Sequence, residues 1–365
     1  SYVELVDLAV WFFQEEAVRI TGSGSEDDRL YGLTLAGLDL GWSKRGLHMA
    51  HGPENGTAPG SQTRGFTLRD SVVHDMDSLA IYFWTGSGES FARPGITDVR
   101  IVHNEFARIG FRDNEQGSVG MSFQHADHLL FAHNHVHHIA HNGVIFSKAQ
   151  TRSSPGYDVP RDRILTGDVL VRDNLFEHCV QNATDAGGLK FWGANADRSH
   201  TFRDVLVFRN VSRNNVGWAW VSQERQNWTY NGKGGMGYYI DFAGGVHFFR
   251  NIAYANGLAG FMASGSWVDS GAVLVNNTVV DSPKGYTMGV RDPFSDENQG
   301  LVIANTLFVH SQQFALSVGD PHVLQGDVWV DYNLYHLNGY EPWPQHTPGI
   351  LAGRVEDSGY EELPT

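Results

Sequence analysis

The sequence predicts a right-handed parallel β-helix of about eleven coils. Three observations carry that reading: a repeat near thirty residues, an Asn returning at one offset in most repeats, and a second short strand after it, usually opened by Gly. A period in this range, built from short alternating strands, describes a solenoid in which each coil covers the next. A β-propeller also repeats, but with about forty residues and four strands per blade, and it would not carry the Asn corner.

The first strand of each repeat is the alternating run that leads to the recurring polar position. Examples are "DVRIVHNEF" (98–106), "HLLFAHNHV" (128–136), "DVLVRDNLF" (168–176), "DVLVFRNVS" (204–212) and "GVHFFRNIA" (245–253). The Asn series reads Asn104, Asn134, Asn174, Asn210, Asn251, Asn277, Asn305 and Asn333, with Ser71, Leu38 and Leu8 at the same offset upstream. Successive spacings are 30, 33, 33, 30, 40, 36, 41, 26, 28 and 28. Asn suits a sharp corner because it tolerates left-handed backbone. Stacked from coil to coil, its amides can also bond to one another as a ladder.

The second strand follows: "GLHMAH" (46–51), "AIYFWTG" (80–86), "GMSFQH" (120–125), "GVIFSK" (143–148), "GLKFWG" (188–193) and "GWAWVS" (217–222). Alternation sends Leu47, Met49, Ile81, Phe83, Met121, Phe123, Val144, Phe146, Leu189, Phe191, Trp218 and Trp220 inward. His48, Tyr82, Trp84, Gln124, His125, Lys148, Lys190 and Trp192 then form an outward column, one rung per coil. Residues 1–345 read as one domain, and 346–365 as a C-terminal tail. Residues 1–10 enter directly into strand pattern, so an N-terminal domain or a partner is expected to cover the open end.

Composition bounds the function. With 41 acidic against 26 basic residues, the formal charge is −15, which argues against a nucleic-acid partner. No run is long enough for a membrane-spanning helix. The single cysteine, Cys179, cannot form an intrachain disulfide and reads as a small buried hydrophobe. The chain opens at Ser1 within a strand pattern, as a trimmed or excised protein would. Secretion or a periplasmic location is the expectation.

Insertions in a solenoid cluster on one face and often build its site. Here they fall at 149–167, 193–203 and 223–237, around "NATDAGGLKFWG" (182–193). Three carboxylates lie there: Asp185 in the turn before "GLKFWG", Glu224 in "WVSQER", and Asp241 in "GYYIDFAGG", read as an extra strand. Cleavage of a glycosidic bond needs two carboxyl groups flanking it, about 5–9.5 Å apart. One or two rungs supply that spacing. Trp84, Trp192, Trp228 and Tyr238 offer flat faces for sugar rings. Tyr82, Gln124, His125, Lys148 and Lys190 supply polar contacts to the same groove. Each acid also has a plain reading: Asp185 capping its turn, Asp241 paired with Arg225 or Lys233, Glu224 a solvated loop charge. The run "HNHVHHIAHNG" (133–143) has no helical i, i+4 pair and no cysteine support, and reads as corner and surface histidines, not a metal site.

The "TDAGGLKFWG" segment followed by "GYYIDFAGG", in coils ending "NNTVV" and "ANTLFV", resembles right-handed parallel β-helix carbohydrate-active enzymes. The likeness is in particular to glycoside hydrolases of the xylosidase, xylanase and fucosidase kind. It covers residues 1–340 in fold and about 182–245 in motif. Carried over by position, the resemblance implies catalytic carboxylates at Asp185 and Asp241 and a carbohydrate substrate, with no cofactor. Lys190 and Phe191 stand where such enzymes often show Tyr, which leaves the substrate open. The alternative is a polysaccharide lyase acting on a uronic-acid polymer, with Lys148, Lys190 or Arg291 and Ca²⁺ neutralising the substrate carboxylate. A non-catalytic carbohydrate-binding β-helix is the third class.

Overall fold

The computed structural model describes residues 2–21, 29–50, 62–84, 96–111, 119–124, 126–147, 167–183, 185–193, 202–217, 234–241, 243–264, 272–289, 301–311, 314–317 and 328–336. The described strands form three parallel sheets of eleven, eleven and ten strands, and each sheet takes every third strand in chain order. The result is a right-handed parallel β-helix of eleven coils. The first sheet holds the longer strands that lead to the Asn corner, the second the short strands after it, and the third the strands opened by Gly.

Alternation places the interior as expected. Leu47, Met49, Ile81, Phe83, Met121, Phe123, Val144, Phe146, Leu189 and Phe191 are fully buried. Their rings pack along the axis, Phe83 edge-on to Phe123 at 5.1 Å and Phe123–Phe146 and Phe146–Phe191 stacked at 5.1 and 5.3 Å. Cys179 joins this core, and burial pushes its thiol well above its ordinary range, so it packs as a hydrophobe.

The Asn residues form a ladder. Each side-chain Nδ2 donates to the Oδ1 of the next: Asn104 to Asn134 (3.0 Å), Asn134 to Asn174 (3.1 Å), Asn174 to Asn210 (2.9 Å), Asn210 to Asn251 (3.0 Å) and Asn251 to Asn277 (3.1 Å). The left-handed corner residue is the one before the ladder position: Asp70, His103, His133, Asp173, Arg209, Arg250 and Asn276 all have φ between 52 and 58°. Asn305 is therefore corrected. It takes the left-handed position (φ 48°), and Thr306 occupies the ladder, its N–H donating to Asn333 Oδ1. A second amide pair, Asn215 to Asn256 (2.9 Å), sits at the next corner.

Two further corrections concern the third sheet. "GYYIDFAGG" is not an extra strand: Gly235–Asp241 pairs with Ala186–Trp192 and fills the slot assigned to "GWAWVS". Trp218 and Trp220 lie outside the described residues, and the insertion placed at 223–237 overlaps this strand from Gly235 onward. The strand starting at Arg203 likewise takes the last residue of the 193–203 insertion. The boundary at 345 and the tail 346–365 are outside the described residues. In the first coil, Val3–Val6 is exposed throughout, and Leu8, Trp11, Phe12 and Phe13 are exposed beside it. Among the described residues, no helix is long and apolar enough to cross a membrane.

Candidate functional site

The outer face of the third sheet carries a column in continuous register: Arg19, His48, Tyr82, Ser122, Ile145, Lys190, Tyr239, Met262 and Thr287. Two residues further along these strands runs a second column, Gln124, Ser147, Trp192 and Asp241. Mid-column, four side chains from two adjacent coils converge.

Asp185 precedes the strand Ala186–Trp192 with φ 64°, a conformation Asp accepts more readily than bulkier residues. The turn is pinned by Asn142, whose Oδ1 accepts from the Gly187 N–H at 2.8 Å. Gly188 has no room for a side chain, since a Cβ there would lie 2.5 Å from Ser212 Oγ. So held, Asp185 accepts from the Tyr239 hydroxyl at its Oδ1, 2.9 Å away. Lys190 reaches across to the next coil. Its ammonium lies 2.7 Å from Asp241 Oδ2 and 4.3 Å from the Tyr239 ring centroid, and it donates to the Asp185 carbonyl oxygen at 3.5 Å. Lys190, Tyr239 and Asp241 are buried, whereas Asp185 is half-buried. His141 completes the surroundings. Burial and the Lys190 charge lower its pKa to about 4, so it is neutral at pH 7. Asn142 Nδ2 donates to its Nδ1.

Asp185, Lys190 and Asp241 are thus brought together, with Lys190 paired to Asp241, whereas Arg225 and Lys233 lie outside the described residues. Trp192 is half-buried one rung from Asp241. Tyr82 and Gln124 bond to each other farther along the groove, and burial pushes the Tyr82 phenol up. Tyr238 is corrected: it sits in register with Leu189, is buried in the lumen against Phe261 (4.8 Å), and cannot touch substrate in the groove. The Trp84 side chain, His125, Lys148, Glu224 and Trp228 lie outside the described residues. Tyr239, His141 and Asn142 are the residues that sequence reasoning missed. Treating "GMGYYID" as a third-sheet strand would have put Tyr239 and Asp241 on one face, two residues apart.

The histidine run engages neighbours. His135 Nε2 lies 2.8 Å from Glu177 and His137 Nε2 3.0 Å from Glu105, both on the second sheet. Among the described residues, one group of potential metal ligands converges: Asp127, His128 and Asp168, within 4.8 Å of one another, on the first sheet and sharing no residue with the Lys190 cluster.

No protein-family model matches the chain, and no curated protein does. Solved structures with a similar course exist. The A-module of the Azotobacter vinelandii mannuronan C-5 epimerase AlgE6 is 11% identical with a TM-score of 0.41, over 86% of this chain and 65% of that one. The alginate lyase of Paenibacillus sp. str. FPU-7 is 10% identical with a TM-score of 0.35, over 87% and 92%. The Dettilon tailspike protein is 13% identical with a TM-score of 0.41, over 88% and 60%. The chain thus spans less than two thirds of the first and third of these proteins. The fold assignment rests on the sheet topology itself.

Proposed function

We propose that this β-helix is a carbohydrate-active enzyme that hydrolyses a glycosidic bond of a polysaccharide or oligosaccharide in the groove above Lys190. The observation that supports this most is the gathering of Asp185 and Asp241, from consecutive coils, around Lys190 and Tyr239 on the outer face. In this reading Asp185, the half-buried member with Tyr239 on one oxygen, gives a proton to the leaving glycosidic oxygen. Asp241, ion-paired to Lys190, is the anionic member. It either attacks C1 or takes the proton of the water that does, and the anomeric form of the first product tells which.

One observation favours the lyase reading: a cation set against a phenol, Lys190 over Tyr239, is an arrangement that proton abstraction beside a carboxylate can use.

Incubation with neutral and uronic-acid polymers, monitored for new reducing ends and for ultraviolet absorbance of unsaturated uronate, separates the two. Hydrolysis predicts reducing ends alone, and Asp185→Asn lowering kcat by about 10²–10⁴ with the melting temperature kept. Unsaturated product would replace this reading with elimination. Saccharide binding without turnover would make the protein a binding module.

A further inference from the structure

The same outer face carries a second polar cluster, four rungs from Lys190 toward the N-terminal end, in which His48 is buried and Glu16 and Arg45 are partly so. Oε1 of Glu16 meets both Arg45 Nη1, at 2.9 Å, and His48 Nδ1, at 3.0 Å. A carboxylate only accepts, so His48 donates from Nδ1 and presents Nε2 as an acceptor. The imidazole stacks on Tyr82, with centroids 5.2 Å apart, and the Arg45 guanidinium lies 5.9 Å from the Tyr82 ring. Burial, with the charges of Arg45 and Arg19, lowers the His48 pKa although Glu16 opposes it. Burial alone would raise the Glu16 carboxyl, but His48 and Arg45 outweigh it and hold it low.

Two atoms of this cluster are left over. Among the described residues, His48 Nε2 and Arg45 Nε have no hydrogen-bond partner, and both are buried, so a ligand reaches them only when the side chains around them shift. The His48 side chain is 9% exposed. Leaving a buried donor or acceptor unmet costs about 1–3 kcal/mol, and native structures do so rarely. Here an acceptor and a donor stand unmet around one carboxylate, on the face that carries the candidate active site.

We propose that Glu16, Arg45 and His48 form a distal saccharide subsite, with one sugar hydroxyl donating to His48 Nε2 and a neighbouring sugar oxygen accepting from Arg45 Nε–H. Sugars carry donors and acceptors on adjacent carbons, which an isolated ion does not. Two arginines near the imidazole disfavour a metal cation there. This inference rests on the hydrolase reading and deepens it. Four rungs amount to about 19 Å, so a chain that fills both places must be several sugar units long.

The test uses the whole chain and neutral β-1,4-linked oligosaccharides of two to eight units. Wild type is expected to show kcat/KM rising by about 10- to 30-fold once the chain spans both clusters, the yield of two hydrogen bonds. His48→Leu is expected to cut the ratio of long- to short-substrate kcat/KM about tenfold. His48→Gln, which keeps an acceptor, is expected to restore part of it. Equal ratios in wild type and folded His48→Leu overturn the subsite. A wild type that cleaves none of these sugars ends the hydrolase reading alone, and the subsite is then read by calorimetric titration with the octamer. Weaker binding by His48→Leu upholds it, whereas equal binding, or none by wild type, overturns it.

Discussion

Lys190 and Asp241 each have more than nine-tenths of their side chains out of water, 2.7 Å apart. Removing one member of such a pair strands a buried charge, at about 3–5 kcal/mol, whereas replacing both by apolar groups is often neutral. Asp241→Leu, which leaves the Lys190 ammonium behind, should therefore lower stability by about that amount, and Lys190→Met with Asp241→Leu should recover most of it in thermal melts while staying inactive. A double variant as unstable as the single one would mean that the pair is not energetically coupled. For the same reason Asp241→Asn is a poor probe of catalysis by itself, since Lys190 remains behind. The Asp185–Lys190 neighbourhood was legible in the sequence because both flank one glycine turn. The Lys190–Asp241 contact was not, because it depends on which of two candidate strands, "GWAWVS" or "GMGYYID", lies against "GLKFWG". Both alternate and both contain aromatics, and only coil-to-coil register distinguishes them.

Among the elements, the Asn corner is where short-range and long-range order meet. Asn174 donates to Asn210 Oδ1 and to the Phe131 carbonyl, and its own Oδ1 accepts from both the backbone and the side chain of Asn134. Asn174→Leu would leave two buried donors of Asn134 without their acceptor. The expected loss is about 3 kcal/mol, read as a lowered denaturation midpoint, with the third-sheet cluster still intact. A wild-type midpoint would mean that the ladder is ornamental. The recurring Asn made this corner visible in the sequence, yet the left-handed conformation belongs to the residue in front, which is Asp, Gly, His, Arg, Asn or Tyr by turns. That position has no single residue type, so no repeat scan singles it out. The inward positions were legible for the opposite reason: a two-residue period leaves one choice once the lumen is assigned.

At the scale of the molecule, eleven coils at about 4.8 Å each make a rod on the order of 50 Å, in which every coil touches only its neighbours. Residues far apart in sequence therefore share a groove as soon as their rungs align, as His48, Tyr82, Lys190 and Tyr239 do. Register is the quantity that decides function here, and variable loop lengths between coils hide it from sequence inspection.

The amide spine has a mechanical consequence. Held by its two termini in an optical trap, such a stack should not give way at once but shed turns in succession, starting at the end coils, whose strands are bonded on one side only among the described residues. Each turn of about thirty residues would pay out roughly 100 Å of slack, drawing a sawtooth in the force record. Asn174→Leu should lower the tooth at its own turn and spare the others, so that the trace reads the rod like a notched ruler.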